Sequence, residues 1–153
     1  QDVKATRPSA PATLASQAKI ASSTPSSSMR SIADGLVPAD ENDRSIPYFH
    51  WWPKQNTTEW ITYTFPEAKQ IQSTTVYWFD DQPWGGCKIP DSWTIQYKDA
   101  NGNWQNVENV DSYPIKKGTA CTANFKPVKT SEVKILVKQP AKYSCGLFEW
   151  SVK

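Results

Sequence analysis

The chain has 153 residues, room for one domain with a core of its own and too few for two ordinary ones. Its 17 Lys and Arg nearly balance 15 Asp and Glu, a formal charge of +2, so no strong field is available to gather a phosphate backbone or an anionic membrane, and nucleic acid is excluded as a partner. Only 38% of the residues are apolar, yet eight are Trp and six are Tyr, more rings than a small core absorbs, and some are expected to face a ligand.

Residues 1–17, QDVKATRPSAPATLASQ, are rich in Pro, Ala and Ser without apolar periodicity and read as a linker or surface strap. The N-terminus lacks the layout of a signal peptide, and no apolar run is long enough for a membrane helix. The chain as given is therefore expected to be soluble, any export signal having been removed or lying upstream. From residue 18 to 153 the pattern is one of short β-type runs between Pro, Gly, Asn and Asp. Trp60 to Phe65 alternates, with Ile61, Tyr63 and Phe65 on one face and Trp60, Thr62 and Thr64 on the other. Thr74 to Phe79 is β-branched and aromatic, and Trp93 to Lys98 alternates before a turn at Asn101-Gly102 that returns the chain along Trp104 to Val107. Val133, Ile135 and Val137 interleave with Lys134, Leu136 and Lys138, and a last strand is predicted from Leu147 to Val152. About seven short strands with long Pro-rich connections predict an all-β fold, an antiparallel β-sandwich whose function sits on its loops.

Cys87, Cys121 and Cys145 show no metal-ligand spacing and there is one histidine, which argues against a zinc site. One disulfide with a spare thiol fits an oxidising compartment and three free thiols fit the cytosol equally well. Of the possible pairings, Cys121 with Cys145 is expected, each opening a late strand, with Cys87 free in its Gly-Gly-Cys turn.

Independent catalysis finds little support. His50 is the only histidine, and neither a Gly-x-Ser-x-Gly elbow nor a phosphate loop is present. A glycosidase needs two carboxylates facing each other across a cleft, whereas Asp80 and Asp81, adjacent at a strand end, are expected to point to opposite faces. The cluster Tyr48-Phe49-His50-Trp51-Trp52 is the most unusual stretch. Sugars present apolar C–H faces and hydroxyl edges, which flat rings and polar side chains match. One ring of this cluster, His50 and the loop holding Asp80, Asp81, Trp84 and Lys88 are expected to meet at one end of the sandwich as a glycan site. The competing expectation is that Trp51 and Trp52 plug the core.

Several segments in order resemble the coagulation factor 5/8 type C (discoidin) family, which includes the family 32 carbohydrate-binding modules. They are Ala21-Ser22-Ser23, Ala33-Asp34-Gly35, Glu59 to Phe65, Pro90-Asp91-Ser92-Trp93 with Tyr97, Asn101 to Trp104, Phe125 to Val128, and Gly146 to Trp150. Ser45-Ile46-Pro47, Trp51-Trp52, Tyr77 to Asp81 and Gly85-Gly86-Cys87 resemble the C-terminal sandwich domains of bacterial arabinofuranosidase-like glycoside hydrolases. The resemblance implies a jelly-roll, galactose-binding-domain-like sandwich. It also implies a non-catalytic carbohydrate-binding role on an oligo- or polysaccharide, a parent glycoside hydrolase, and a secreted, periplasmic or cell-surface location. A structural Ca²⁺ is implied too, held by the Ser31 carbonyl, the Asp34 carboxylate, Asn42, Ser45, the Phe148 carbonyl and the Glu149 carboxylate. The inserted residues Leu36 to Glu41 separate Asp34 from Asn42, Asp43 and Ser45. Two alternatives stand beside this reading: a structural accessory domain that binds no sugar, and an adhesion or membrane-surface module, against which the near-neutral charge counts.

Overall fold

Alternating burial along two unusually long strands organises the molecule. The structure is a computed structural model describing residues 13–24, 26 and 28–153. The elements are a one-turn helix α1 (Leu14–Gln17), strand β1 (Lys19–Ser22), a 3₁₀ turn (Met29–Ala33), β2 (Phe49–His50), β3 (Thr58–Phe79), β4 (Ser92–Lys98), β5 (Trp104–Asn106), β6 (Cys121–Lys138) and β7 (Gly146–Val152). All strand pairs between them are antiparallel.

The first part of β3 pairs with β1 and with the end of β6, from Thr58↔Lys138 to Thr64↔Glu132. Its second part pairs with the start of β6 and with β7, through Val76↔Cys121 and Val76↔Trp150. Register breaks between Thr64 and Lys69 and between Ile71 and Ser73 let both long strands bend from one layer into the other. One layer runs β1-β3-β6-β4-β5 and the other β6-β3-β7-β2. The expected pattern of short strands is corrected here: β3 spans 22 residues and β6 spans 18. Pro66 and Pro127, which look like strand breakers, fall within the register breaks, where a missing N–H costs no ladder bond.

The core lies between the layers. Tyr63 of one layer stacks on Trp150 of the other with ring centroids 4.1 Å apart, and Trp78 meets Trp93 edge-on at 5.8 Å. Three of these four rings have a partner for their polar atom, and the Trp78 indole N–H is buried without one. The Tyr63 hydroxyl donates to the Trp150 carbonyl at 2.7 Å, the Trp150 indole N–H to Thr74 Oγ1 at 2.7 Å, and that of Trp93 to the Pro114 carbonyl at 2.9 Å. The β4–β5 hairpin closes as its sequence suggests, with Gly102 at φ +82 and the Asp99 carboxylate accepting from the Asn101 and Asn103 amides. Within the strap, residues 1–12 lie outside the described residues. Thr13 caps α1, whose Ala15 is buried in the core, and Arg30 donates to the carbonyls of Ala18 and Ser16 at 2.7 Å each.

The expected Cys121–Cys145 disulfide is corrected: all three cysteines are free and buried. Cys121 lies opposite Val76, and the residue opposite Val76 on β7 is Trp150, five positions from Cys145. Two strand spacings, about 9.6 Å, plus that offset along the strand exceed the roughly 7 Å Cα separation that a disulfide spans.

Candidate functional site

The site begins with β2, a two-residue edge strand that pairs Phe49 with Leu147 and His50 with Gly146. The backbone approach is close, since a Cβ on Gly146 would sit 2.8 Å from the Phe49 carbonyl oxygen. Alternation along this extended segment sends Phe49 and Trp51 inward and His50 and Trp52 outward. Trp51 is 1% exposed and packs edge-on against Phe49 at 5.0 Å, whereas Trp52 is 56% exposed. Trp51 is therefore corrected from a ligand contact to a core ring.

A loop following β3 supplies the opposite wall. Asp80, 1% exposed, accepts from the Gln82 and Ile89 amides at 2.9 and 3.0 Å, and Lys117 Nζ lies 3.8 Å away. Its carboxylate staples the two ends of the loop, so Asp80 is likewise corrected: buried in this way, it cannot face a ligand. Asp81 turns the other way, as expected of its neighbour, and accepts from the Cys87 amide at 2.8 Å. The glycines permit the collapse: a Cβ on Gly85 would fall 2.0 Å from Asp81 Oδ2, and one on Gly86 would fall 2.3 Å from the Trp52 indole nitrogen. Trp52 thus lies directly against the loop that carries Asp81.

Together Tyr48, His50, Trp52, Phe79, Asp81, Gly86 and Cys87 line a recess of about 200 Å³. Tyr48 stacks on Phe79 at 3.9 Å, and Phe148 closes the floor edge-on to Phe79 at 5.5 Å. A bulge positions Phe148: the pairing jumps from Tyr77↔Glu149 to Trp78↔Leu147, so Phe148 packs with Phe79 while Leu147 and Trp150 belong to the main core. Arg44 reaches over the Phe79 ring at 5.1 Å, donates to the Tyr48 hydroxyl at 2.9 Å, and places its guanidinium 3.7 Å from Asp81 Oδ2. The His50 ring is held below its ordinary pKa by partial burial, a pull that the Asp81 carboxylate opposes. Near neutral pH it offers one N–H donor and one acceptor nitrogen. The set of an exposed indole, a neutral imidazole, a carboxylate and a guanidinium suits a ligand with an apolar face and a hydroxyl edge.

Trp84, 87% exposed, stands on the same loop outside the recess, and Lys88 points away over the Tyr143 ring at 5.2 Å. Arg44 and Tyr48 were not singled out as contacts from the sequence. Their signal was a cation next to Ser45-Ile46-Pro47 and a ring at the head of the aromatic cluster, neither of which says which way a side chain points.

The six residues of the implied calcium set fall into two groups. The Glu149 carboxylate accepts from the Gly35 amide at 3.1 Å and lies beside the Asp34 carboxyl; burial and that neighbour push its pKa up to about 9. Glu149 Oε1 and Ser31 Oγ are buried without a hydrogen-bond partner. Asn42 and Ser45 are engaged within their own loop: Asn42 accepts from Arg44 Nε at 2.7 Å and Ser45 donates to Asp43 Oδ1 at 2.6 Å. Asp43 also accepts from the Ala39 amide at 2.8 Å, the largest of the bonds that lower its pKa. None of these contacts reaches Asp34 or Glu149; the loop braces Arg44 instead. Among the described residues no group of three or more His, Cys, Asp or Glu is placed to hold a metal ion.

The two-layer antiparallel sandwich, with its recess at one end, matches the fold of galactose-binding-like domains. The family model of the NedA-like, galactose-binding domain of F5/8 type C matches residues 39–135, and the chain belongs to that family. Among solved structures it is similar to a chain of the Streptococcus pneumoniae β-galactosidase BgaA, at 17% identity and TM-score 0.73, covering 92% of each chain. It is also similar to CpGH89CBM32-5 from Clostridium perfringens, solved in complex with GalNAc-β-1,3-galactose, at 14% identity and TM-score 0.63, covering 91% of this chain and 96% of that one. A putative α-L-fucosidase from Bacteroides thetaiotaomicron matches at 16% identity and TM-score 0.65, covering 92% of this chain and 28% of the larger one.

Proposed function

We propose that this domain is a non-catalytic carbohydrate-binding module, an accessory part of a secreted bacterial glycoside hydrolase, that holds a glycan in the recess at the β2 end of the sandwich. The observation that carries the reading is Trp52, 56% exposed and lying on Gly86 beside His50 and Asp81. Its indole would take the C–H face of a sugar ring, while His50, Asp81 and Arg44 would fix hydroxyls. The module's contribution would be to concentrate a catalytic domain on its polymer, which requires only modest affinity. The family and the glycoside-hydrolase neighbours support this reading.

A structural calcium is proposed at Asp34 and Glu149. Two adjacent carboxyl groups with an orphaned oxygen fit a hard cation, with the Ser31 and Phe148 carbonyls as further oxygen donors; Asn42 and Ser45 do not fit. When bound, the ion would supply the positive charge that lets both carboxylates ionise together.

The test is titration of the isolated domain with a glycan panel that includes galactose and GalNAc-β-1,3-galactose, read by chemical shifts at His50 and Trp52. Binding at millimolar ligand or below, abolished in Trp52→Ala without loss of folding, is expected. No shift with any member of the panel would leave a structural accessory domain as the better reading.

A further inference from the structure

We propose that Trp84 forms a second sugar subsite, so that the domain recognises a chain of at least two sugar residues rather than a single terminal one; this rests on reading the recess as a glycan site. Trp84 is 87% exposed and has no part in the core, yet it is not on a loose tip. The Trp84 and Gly85 amides donate to the Asp81 carbonyl at 2.8 and 3.0 Å, and Gln82 Nε2 ties the turn to the Gly85 and Cys87 carbonyls at 2.8 and 3.0 Å. The fold therefore holds a large apolar ring out in water on a braced turn, at a cost in exposed apolar surface that packing does not repay.

Its position says what the ring would meet. Gly86 is part of the recess wall and carries the Trp52 indole, and two residues of chain span at most about 7 Å. The Trp84 backbone therefore lies within about 7 Å of the recess wall, which puts its ring within reach of a second sugar unit of a ligand held there. A membrane would use the same indole differently, with free cations beside it for anionic headgroups. Here three basic groups near the loop are engaged, Arg44 with Asp81 at 3.7 Å, Lys117 with Asp80 at 3.8 Å, and Lys88 over Tyr143 at 5.2 Å, which leaves, among the described residues, exposed Lys142 on the neighbouring segment as a single free cation. With two carboxylates at the foot of the turn, the surroundings favour a neutral polyhydroxylated ligand.

The experiment compares galactose with GalNAc-β-1,3-galactose by calorimetric titration of wild type, Trp84→Ala and Trp84→Phe, with the His50 and Trp52 resonances followed in parallel. Wild type is expected to bind the disaccharide roughly two- to tenfold more tightly than galactose, the worth of one aromatic contact. Trp84→Ala should lose that gain while its galactose affinity is unchanged, and Trp84→Phe should keep most of it. A gain that survives in Trp84→Ala, or an equal loss for both sugars, overturns the second subsite while the recess reading stands. Wild-type binding to phosphatidylserine vesicles that depends on Trp84, with no disaccharide gain, overturns it in favour of a membrane. If neither sugar moves the His50 and Trp52 resonances, the recess reading fails and the subsite fails with it.

Discussion

The aromatic residues between the two sheets and those at the β2 end live under opposite rules. Between the sheets, Tyr63 and Trp150 stack at 4.1 Å, and the hydroxyl of the one and the indole N–H of the other both have buried acceptors. At the β2 end, Trp52 and Trp84 expose most of their rings and are held in place through the backbone of neighbouring residues. A ring that the fold needs is surrounded on all sides, even where, as at Trp51 and Trp78, its indole N–H finds no partner; a ring that the ligand needs is braced from below and left open above.

The sharpest break in that comparison should come from the interior. Trp150→Ala would leave a cavity under Tyr63 and strip Thr74 Oγ1 of its donor, at a cost of about 3–5 kcal/mol in urea unfolding. A loss below about 1 kcal/mol would mean that the inter-sheet stack is not what holds the layers together.

The calcium proposal extends the contrast to polar groups, because Glu149 is buried and poorly provided for where Trp150 beside it is not. Without a cation its folded pKa, pushed up to about 9, exceeds that of the unfolded chain near 4.3. The folded state then keeps a proton that the unfolded state releases, so its stability is full below about pH 4.3 and declines as pH rises toward 9. Calcium should raise the melting temperature at neutral pH by several degrees, excess chelator should reverse this, and Glu149→Gln should be insensitive to both. A calcium response that persists in Glu149→Gln would move the ion elsewhere.

How much of this could be seen in the sequence depended on how locally each feature is encoded. The strand faces of Ile61, Tyr63, Val133 and Ile135 follow from alternation alone, and the Asp99 to Asn103 turn from its Asn-Gly. The joining of Trp60–Phe65 and Thr74–Phe79 into one strand did not, because Pro66 reads as a break until the bulge that absorbs it is known. The recess was legible as a neighbourhood: His50, Trp52 and Asp81 do converge. Which of two adjacent tryptophans faces outward was not, since that is decided by the pairing of His50 with Gly146, a partner nearly a hundred residues away. Arg44 was hidden for the same reason, its direction being set by Asn42, Tyr48 and Asp81 together.

A smaller effect should come from pH at the recess. Protonating His50 removes its acceptor nitrogen and adds a cation to a site that already holds Arg44, so sugar affinity should be flat above pH 6.5 and fall several-fold as pH drops through the depressed pKa of His50. Titrations across this range, with His50→Gln as the control that flattens the profile, check it. An unchanged profile in that variant would assign the pH dependence to another group.

The most direct test sets the neighbours Trp51 and Trp52 against each other, measuring urea stability and glycan affinity in the two alanine variants. Trp51→Ala should lose about 3–5 kcal/mol of stability, whereas Trp52→Ala should lose less than about 1 kcal/mol and yet abolish binding of the sugar that wild type takes. A Trp52→Ala variant that binds as wild type does would contradict the account, because the open ring would then have no ligand to meet.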